Sequence, residues 1–349
     1  MRHQYVERAS GRIRTERLYG DGILRYVCPR EREDGSRLYR ILTSRRMTDI
    51  LAYVNFDAVL GARLSGSMRF MRALGIDLTE CLDDPATFDT PRKIFERKIR
   101  YQEVRPMPLD PAIVVSPCDA RLLVGNLFET MGLMIKDKLF DLEELLGPEN
   151  AGPFMDGQFA VFRLTPEKYH YNHCPVSGLV KDMYTLEGRY APCNPGCVIH
   201  LAQPYSKNRR VVTIIDSDCP GGSLVGLVAM VEVVALMIGD IVQAYSEQGY
   251  DEPGPVTAGM FVKRGQPKSL FRPGSSTVVL LFQKDRVVFD GDIVRNQNRP
   301  AETRFSLGFG RPVVETEVWA RSGIARSRPR DGERFQGEGE VCPLNEKNA

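Results

Sequence analysis

Hydrophobic and polar positions divide the 349-residue chain into stretches of different rhythm. Residues 1–45 are polar and rich in arginine, with only brief apolar alternation such as Ile23-Leu-Arg-Tyr-Val27. From Thr48, read as an N-cap with Asp49 in the first turn, the pattern becomes helical. Leu60, Leu64, Met68, Met71 and Leu74 recur at steps of three and four, which sets them on one face, and Gly75 is a natural stop. Arg63, Arg69 and Arg72 flank that stripe. A basic amphipathic helix of this kind either lies in a bilayer interface or packs on its own core.

Pro106, Pro108 and Pro111 break the helical rhythm, and short β-branched or aromatic runs follow. Ile113-Val-Val, Phe159-Ala-Val-Phe-Arg-Leu, Val211-Val-Thr-Ile-Ile, Thr277-Val-Val-Leu-Leu-Phe and Arg286-Val-Val-Phe all read as strands. Residues 139–146 read as a short helix ended by Gly147-Pro148, and residues 225–241, dense in valine and flanked by glycine, read as strands. A further strand is expected around Val314-Glu-Thr-Glu-Val-Trp319, with Trp319 in a packing role. The fold class is therefore α+β: a mostly β core of packed antiparallel sheets, preceded by a helical region. The expected divisions are residues 1–105 (helical, a candidate for membrane association), 106–325 (core) and 326–349 (an aperiodic, disordered tail).

Composition narrows the function classes. With 42% hydrophobic and 26% charged residues and a formal charge of +2, the chain is globular and lacks the basic excess of a nucleic-acid binder. The longest apolar run, residues 224–238, is interrupted by Glu232, so no transmembrane helix is expected. The first residues have no hydrophobic core of a secretory signal. Eight scattered cysteines then read as reduced thiols, and the expected location is cytoplasmic, peripheral at a membrane.

Chemistry concentrates in two places. Tyr169-His170-Tyr-Asn-His173 carries two of the four histidines, followed by Cys174-Pro175. With Cys193 and Cys197 these could be imagined as zinc ligands, but the spacing fits no recognised finger, and no metal is expected. Second, Phe271-Arg-Pro-Gly274-Ser275-Ser276-Thr277 sets a Gly-Ser junction immediately before an apolar strand.

Taken in order along the chain, these segments resemble the phosphatidylserine decarboxylase family, pyruvoyl-dependent lyases that cleave their own backbone. Arg105-Pro-Met, Val115-Ser-Pro-Cys-Asp119, Ile135-Lys-Asp through Leu-Leu-Gly147, Leu164-Thr-Pro-Glu-Lys-Tyr-His170-Tyr-Asn-His173-Cys-Pro and Asn208-Arg-Arg-Val-Val match family blocks, and the Gly-Ser-Ser-Thr junction follows at the proper distance. The resemblance implies a serine that attacks the preceding carbonyl, shifts the acyl group from nitrogen to oxygen and eliminates, leaving a pyruvoyl group on the small chain. That carbonyl serves decarboxylation as an electron sink. It further implies His170 as the general base, Asp119 as the group orienting it, and His173 as a second proton-handling residue.

The junction has one residue more than the usual Gly-Ser-Thr pattern. Counted forward from Phe271 the cleaved serine is Ser275; counted back from Phe282 it is Ser276. Cleavage after glycine, at Gly274–Ser275, is the expectation, with a bulge absorbing the extra residue. Ala120 stands where a glycine is usual, Tyr171 where an arginine is usual after His170, and Arg209 where a glutamate is usual. The expected reaction is conversion of phosphatidylserine at a membrane surface to phosphatidylethanolamine and CO2, by a homodimer of processed large and small chains. Alternatives are a soluble decarboxylase of a free amino acid and an uncleaved lipid-headgroup-binding protein.

Overall fold

Every side chain of the strand Ser276–Phe282 is buried, as a central strand covered on both faces requires. It lies inside a ten-stranded sheet, between Leu227–Val233 on one side and Gln158–Leu164 on the other. From Leu227–Val233 the sheet continues through Arg210–Asp216 and Gly178–Leu186 to Phe261–Val262. On the far side it continues through Ala120–Asn126, Glu315–Val318, Gln4–Glu7 and Arg12–Thr15. All neighbours are antiparallel except Gln4–Glu7 and Glu315–Val318, which run parallel. The computed structural model describes residues 2–18, 37–64, 66–128, 139–201, 203–236, 240–273 and 276–328.

Two three-stranded sheets complete the β core. One joins Ile241–Gln243, Pro267–Phe271 and Tyr171–His173; the other joins Val287–Phe289, Gly323–Ser327 and Ile113–Val115. The fold is thus α+β with a mostly β core. The apolar runs at 113–115, 159–164, 211–215, 277–282 and 287–289 are strands, and the short helix ends before Gly147.

The helical region departs from expectation at two points. Its helix Arg45–Ala52 is capped by Ser44, whose Oγ accepts from the Met47 N–H at 3.4 Å, and Thr48 is buried inside it. The stripe over 60–74 is split: helix Val59–Leu64 ends, Gly66 turns the chain at φ 70°, and helix Ser67–Ala73 follows. The second helix buries Met71 against Cys81, Phe88, Ile94 and Phe95, whereas Leu60 and Leu64 on the first are 72% and 80% exposed.

The hairpin Gln4–Thr15 joins the core sheet, so order crosses the boundary expected near 105. Charge holds it there. Arg163, buried in the sheet, donates to both Glu16 and Glu315, and His3 Nε2 lies 2.8 Å from Glu315. Strand Gly323–Ser327 likewise continues past Arg326, and the expected tail from 329 onward lies outside the described residues. The thiols are not all reduced: Cys197 is disulfide-bonded, while Cys81, Cys118, Cys174, Cys193 and Cys219 are free.

Candidate active site

The small strand Tyr171–His173 pairs antiparallel with Pro267–Phe271, Tyr171 opposite Leu270. One step further, the Phe271 N–H donates to the His170 carbonyl at 3.1 Å. His170 is thereby fastened to the segment that leads within three residues to Gly274. Gly274 and Ser275 themselves lie outside the described residues; Ser276 opens the central strand.

His170 is fully buried, its ring packed on Phe95 with centroids 3.6 Å apart. Nδ1 lies 2.7 Å from the Lys168 carbonyl. A carbonyl only accepts, so Nδ1 carries the proton and Nε2 presents its lone pair. Among the described residues, that buried Nε2 has no hydrogen-bond partner. Burial, reinforced by the Arg97 guanidinium, holds the imidazole well below its ordinary pKa and keeps it neutral. Ser276 Oγ, like the neighbouring Thr277 Oγ1, is also buried without a hydrogen-bond partner among the described residues.

His173 is equally buried but has both nitrogens engaged. Nδ1 donates to the Gly265 carbonyl at 2.8 Å, and Nε2 accepts from the Tyr169 hydroxyl at 3.0 Å. Tyr169 and Tyr250 hydroxyls lie 2.6 Å apart, and Tyr250 accepts from the Ile99 N–H at 3.2 Å. The directed chain Ile99 N–H, Tyr250, Tyr169, His173, Gly265 carbonyl satisfies every member. Burial pushes the His173 pKa down to about 4. Gly265 has φ 76°, and a Cβ there would collide with Met107, so the carbonyl that orients His173 depends on glycine.

Asp119 does not orient His170. Its Oδ1 accepts from Arg105 Nε at 3.0 Å and from the Ala320 N–H at 2.8 Å, and its Oδ2 accepts from Arg105 Nη2 at 2.8 Å. Arg105 extends the pair to Glu80. The turn carrying Asp119 instead meets the other histidine, since the His173 N–H donates to the Pro117 carbonyl at 2.7 Å. Orientation of His170 comes from a backbone carbonyl because Arg105, a fixed cation beside Asp119, takes the carboxylate's lone pairs. Trp319, 41% exposed, is a platform, with Lys168 Nζ 4.2 Å and the Arg105 guanidinium 4.6 Å from its ring centre.

Sequence patterns gave no hint of a third group of residues. Glu232, in the strand beside Ser276–Phe282, and Lys268 are completely buried and paired at 2.6 Å. Ser269 donates to the same carboxylate, and Asn172 Nδ2 reaches it at 3.1 Å. This pair pins the small sheet carrying the histidines to the strand next to the junction. Glu232 was visible only as an interruption of an apolar run. Among the described residues the one cluster of metal-ligating groups is His3, Glu16 and Glu315, and the Arg163 guanidinium already fills it.

His170, a neutral imidazole, is bonded through its backbone to the segment before the junction, and Ser276, with its desolvated hydroxyl, opens the strand after it. Such a pair suits nucleophilic attack by serine. A family model described as phosphatidylserine decarboxylase matches residues 92–308. The chain is 30% identical over 312 residues to the phosphatidylserine decarboxylase proenzyme of Chlamydia trachomatis, covering 87% of this chain and 95% of that one. The corresponding proenzyme of Fusobacterium nucleatum is 27% identical over 310 residues, with the same coverage. Phosphatidylserine decarboxylase proenzyme 3 of Schizosaccharomyces pombe is 29% identical over 310 residues, which are 86% of this chain and 30% of that longer one.

Proposed function

The chain belongs to the phosphatidylserine decarboxylase family, and on that premise we propose that it matures by cutting itself at the 274–276 junction and then converts phosphatidylserine to phosphatidylethanolamine and CO2. The observation that carries this reading is the pair of buried, unpartnered atoms, His170 Nε2 and Ser276 Oγ. Desolvated polar atoms without partners cost about 1–3 kcal/mol each, a cost that chemistry at the site accounts for.

His170 Nε2 takes the serine proton as the hydroxyl oxygen attacks the preceding carbonyl. The proton passes to the departing peptide nitrogen, leaving an ester. Loss of the serine Cα proton then breaks the ester C–O bond, a carboxylate remains on the large chain, and water replaces the nitrogen of the small chain's dehydroalanyl end as ammonia. The pyruvoyl carbonyl so made would supply a sink for the electron pair that CO2 leaves behind.

Of the two serines, Ser276 has an observation in its favour. Register is continuous from Ser276 opposite Leu164 to Phe282 opposite Gln158, so no bulge in this strand absorbs an extra residue. Counting back from Phe282 then selects Ser276, and the bond between Ser275 and Ser276; cleavage at Gly274–Ser275 is the other reading. Denaturing mass spectrometry of the purified protein tests both. Two chains, with a blocked small chain beginning at 276 or at 275, are expected, and a single uncut chain sinks the proposal.

The lipid comes from a surface. No helix among the described residues is long and apolar enough to cross a membrane. Exposed apolar side chains on the helical region include Ile50, Tyr53, Leu60 and Leu64, and the helices Arg45–Ala52 and Val59–Leu64 also carry the exposed Arg45, Arg46 and Arg63. We assign membrane docking to this ledge rather than to the whole 60–74 segment, because Met71 and Leu74 are core. Leu60→Glu with Leu64→Glu should abolish flotation with anionic vesicles; unchanged flotation removes the assignment.

A further inference from the structure

Tyr171 occupies the position where a cation is usual, and it is fully used in packing. It stacks on Tyr169 with ring centres 5.5 Å apart and meets Tyr250 edge-on at 5.0 Å. If the substrate's phosphate is met by a guanidinium, that group comes from elsewhere. A cavity of about 250 Å³ opens beside the junction, lined by Arg45, Tyr53, Asp240, Arg272 and Pro273, the last adjacent to Gly274 in the chain. It therefore connects the segment that carries the reactive serine to Tyr53 on the exposed apolar ledge.

The cations in this cavity are not equivalent. Arg92 is spent: it donates to both carboxylate oxygens of Asp57 and, at 2.8 Å, to Glu96. Arg272 has its nearest carboxylate oxygen, on Glu96, 4.0 Å away, and Arg45 has Asp49 at the same distance. Both are beyond hydrogen-bond reach. Among the described residues neither guanidinium makes a hydrogen bond to a carboxylate, although Asp49 and Asp57 share the lining, and that planar fork is suited to a phosphate's oxygens. Asp240, half exposed on the wall, disfavours a second anion and suits an ammonium.

We propose that Arg272 and Arg45 hold the phosphodiester of the phospholipid substrate, positioning the amine-bearing end toward the junction and the glycerol end toward the ledge. This rests on the decarboxylase reading and names the binding site that the reading leaves open. Arg272 and Arg45 are specificity determinants, and they discriminate a phospholipid from a free amino acid.

The test is calorimetric titration of the self-processed full chain with dihexanoyl phosphatidylethanolamine below its micellar concentration, and separately with inorganic phosphate. That lipid carries the diester but has no carboxylate to lose. Arg272→Gln and Arg45→Gln are each expected to weaken binding of the monomeric lipid about tenfold, and Arg272→Gln, whose side chain is not among the ledge residues, is expected to leave vesicle flotation unchanged. Arg45 is remote in sequence from the junction, so its variant remains informative if Arg272→Gln fails to mature. Unchanged lipid affinity in either processed variant overturns the proposal, as does inorganic phosphate binding as tightly as the lipid, which would mark a free-phosphate site. A chain that binds the lipid through these arginines yet releases no CO2 from phosphatidylserine upholds the site and sinks the decarboxylase reading instead.

Discussion

His170 and His173 sit three residues apart, equally buried and equally deprived of solvent, yet their surroundings prepare them for opposite tasks. His173 has a partner for each nitrogen and closes a chain of hydroxyls, so any proton it gave or took would break a satisfied network. His170 has one nitrogen anchored and the other free. Burial alone therefore says little about a histidine's role; the count of satisfied nitrogens says more.

The widest separation between the two should come from truncation. His170→Ala is expected to slow self-cleavage at least about a hundredfold, the scale of a lost general base, leaving a folded single chain on denaturing gels. Partial recovery with added imidazole would sharpen the assignment. His173→Gln is expected to slow cleavage far less while costing about 1–3 kcal/mol of stability in denaturant unfolding, because Tyr169 and the Gly265 carbonyl lose their fitted partner. Equal damage to cleavage by the two substitutions would erase the distinction.

A smaller effect concerns pH. Both imidazoles are held below their ordinary pKa, so as acidity rises the unfolded chain takes up protons before the folded one does. Stability is thus full above about pH 6.5 and falls as the pH drops from there toward about 4, where His173 itself titrates. Each histidine contributes a slope of at most about 1.4 kcal/mol per pH unit in that window. His173→Gln should flatten unfolding free energy against pH by that amount, and wild-type cleavage should hold its rate from pH 8 to 7. A cleavage rate that falls tenfold across that unit would mean His170 is not neutral there.

How much of this was readable in the sequence differs by the physical nature of the feature. Central strands such as Ser276–Phe282 were legible because burial on both faces leaves an unbroken apolar run. The hairpin Gln4–Thr15 was not, since it is charged and joins the sheet through Glu16, Arg163 and Glu315, a pairing across hundreds of residues. The 60–74 stripe had the right period, but periodicity cannot register that Gly66 turns the chain and sends one half to the surface. At the candidate site, the resemblance pointed to Asp119, His170 and His173, and all three are buried in the core. Their division of labour was not legible, because it is decided by Arg105, Gly265 and Tyr250, which no local pattern connects to them.

The parallel pairing of Gln4–Glu7 with Glu315–Val318 has a temporal consequence. The sheet closes only when the first residues of the chain meet nearly the last, and Asp119 acquires its Ala320 partner in the same event. A chain still emerging from the ribosome can form neither contact. A polypeptide truncated before residue 315 lacks both contacts and, on the proposed self-cleavage, is expected to stay a single unprocessed piece. The proposed cut would leave the strands Ser276–Phe282, Glu315–Val318 and Gly323–Ser327 paired with strands of the other piece, so that the two pieces stay one folded body.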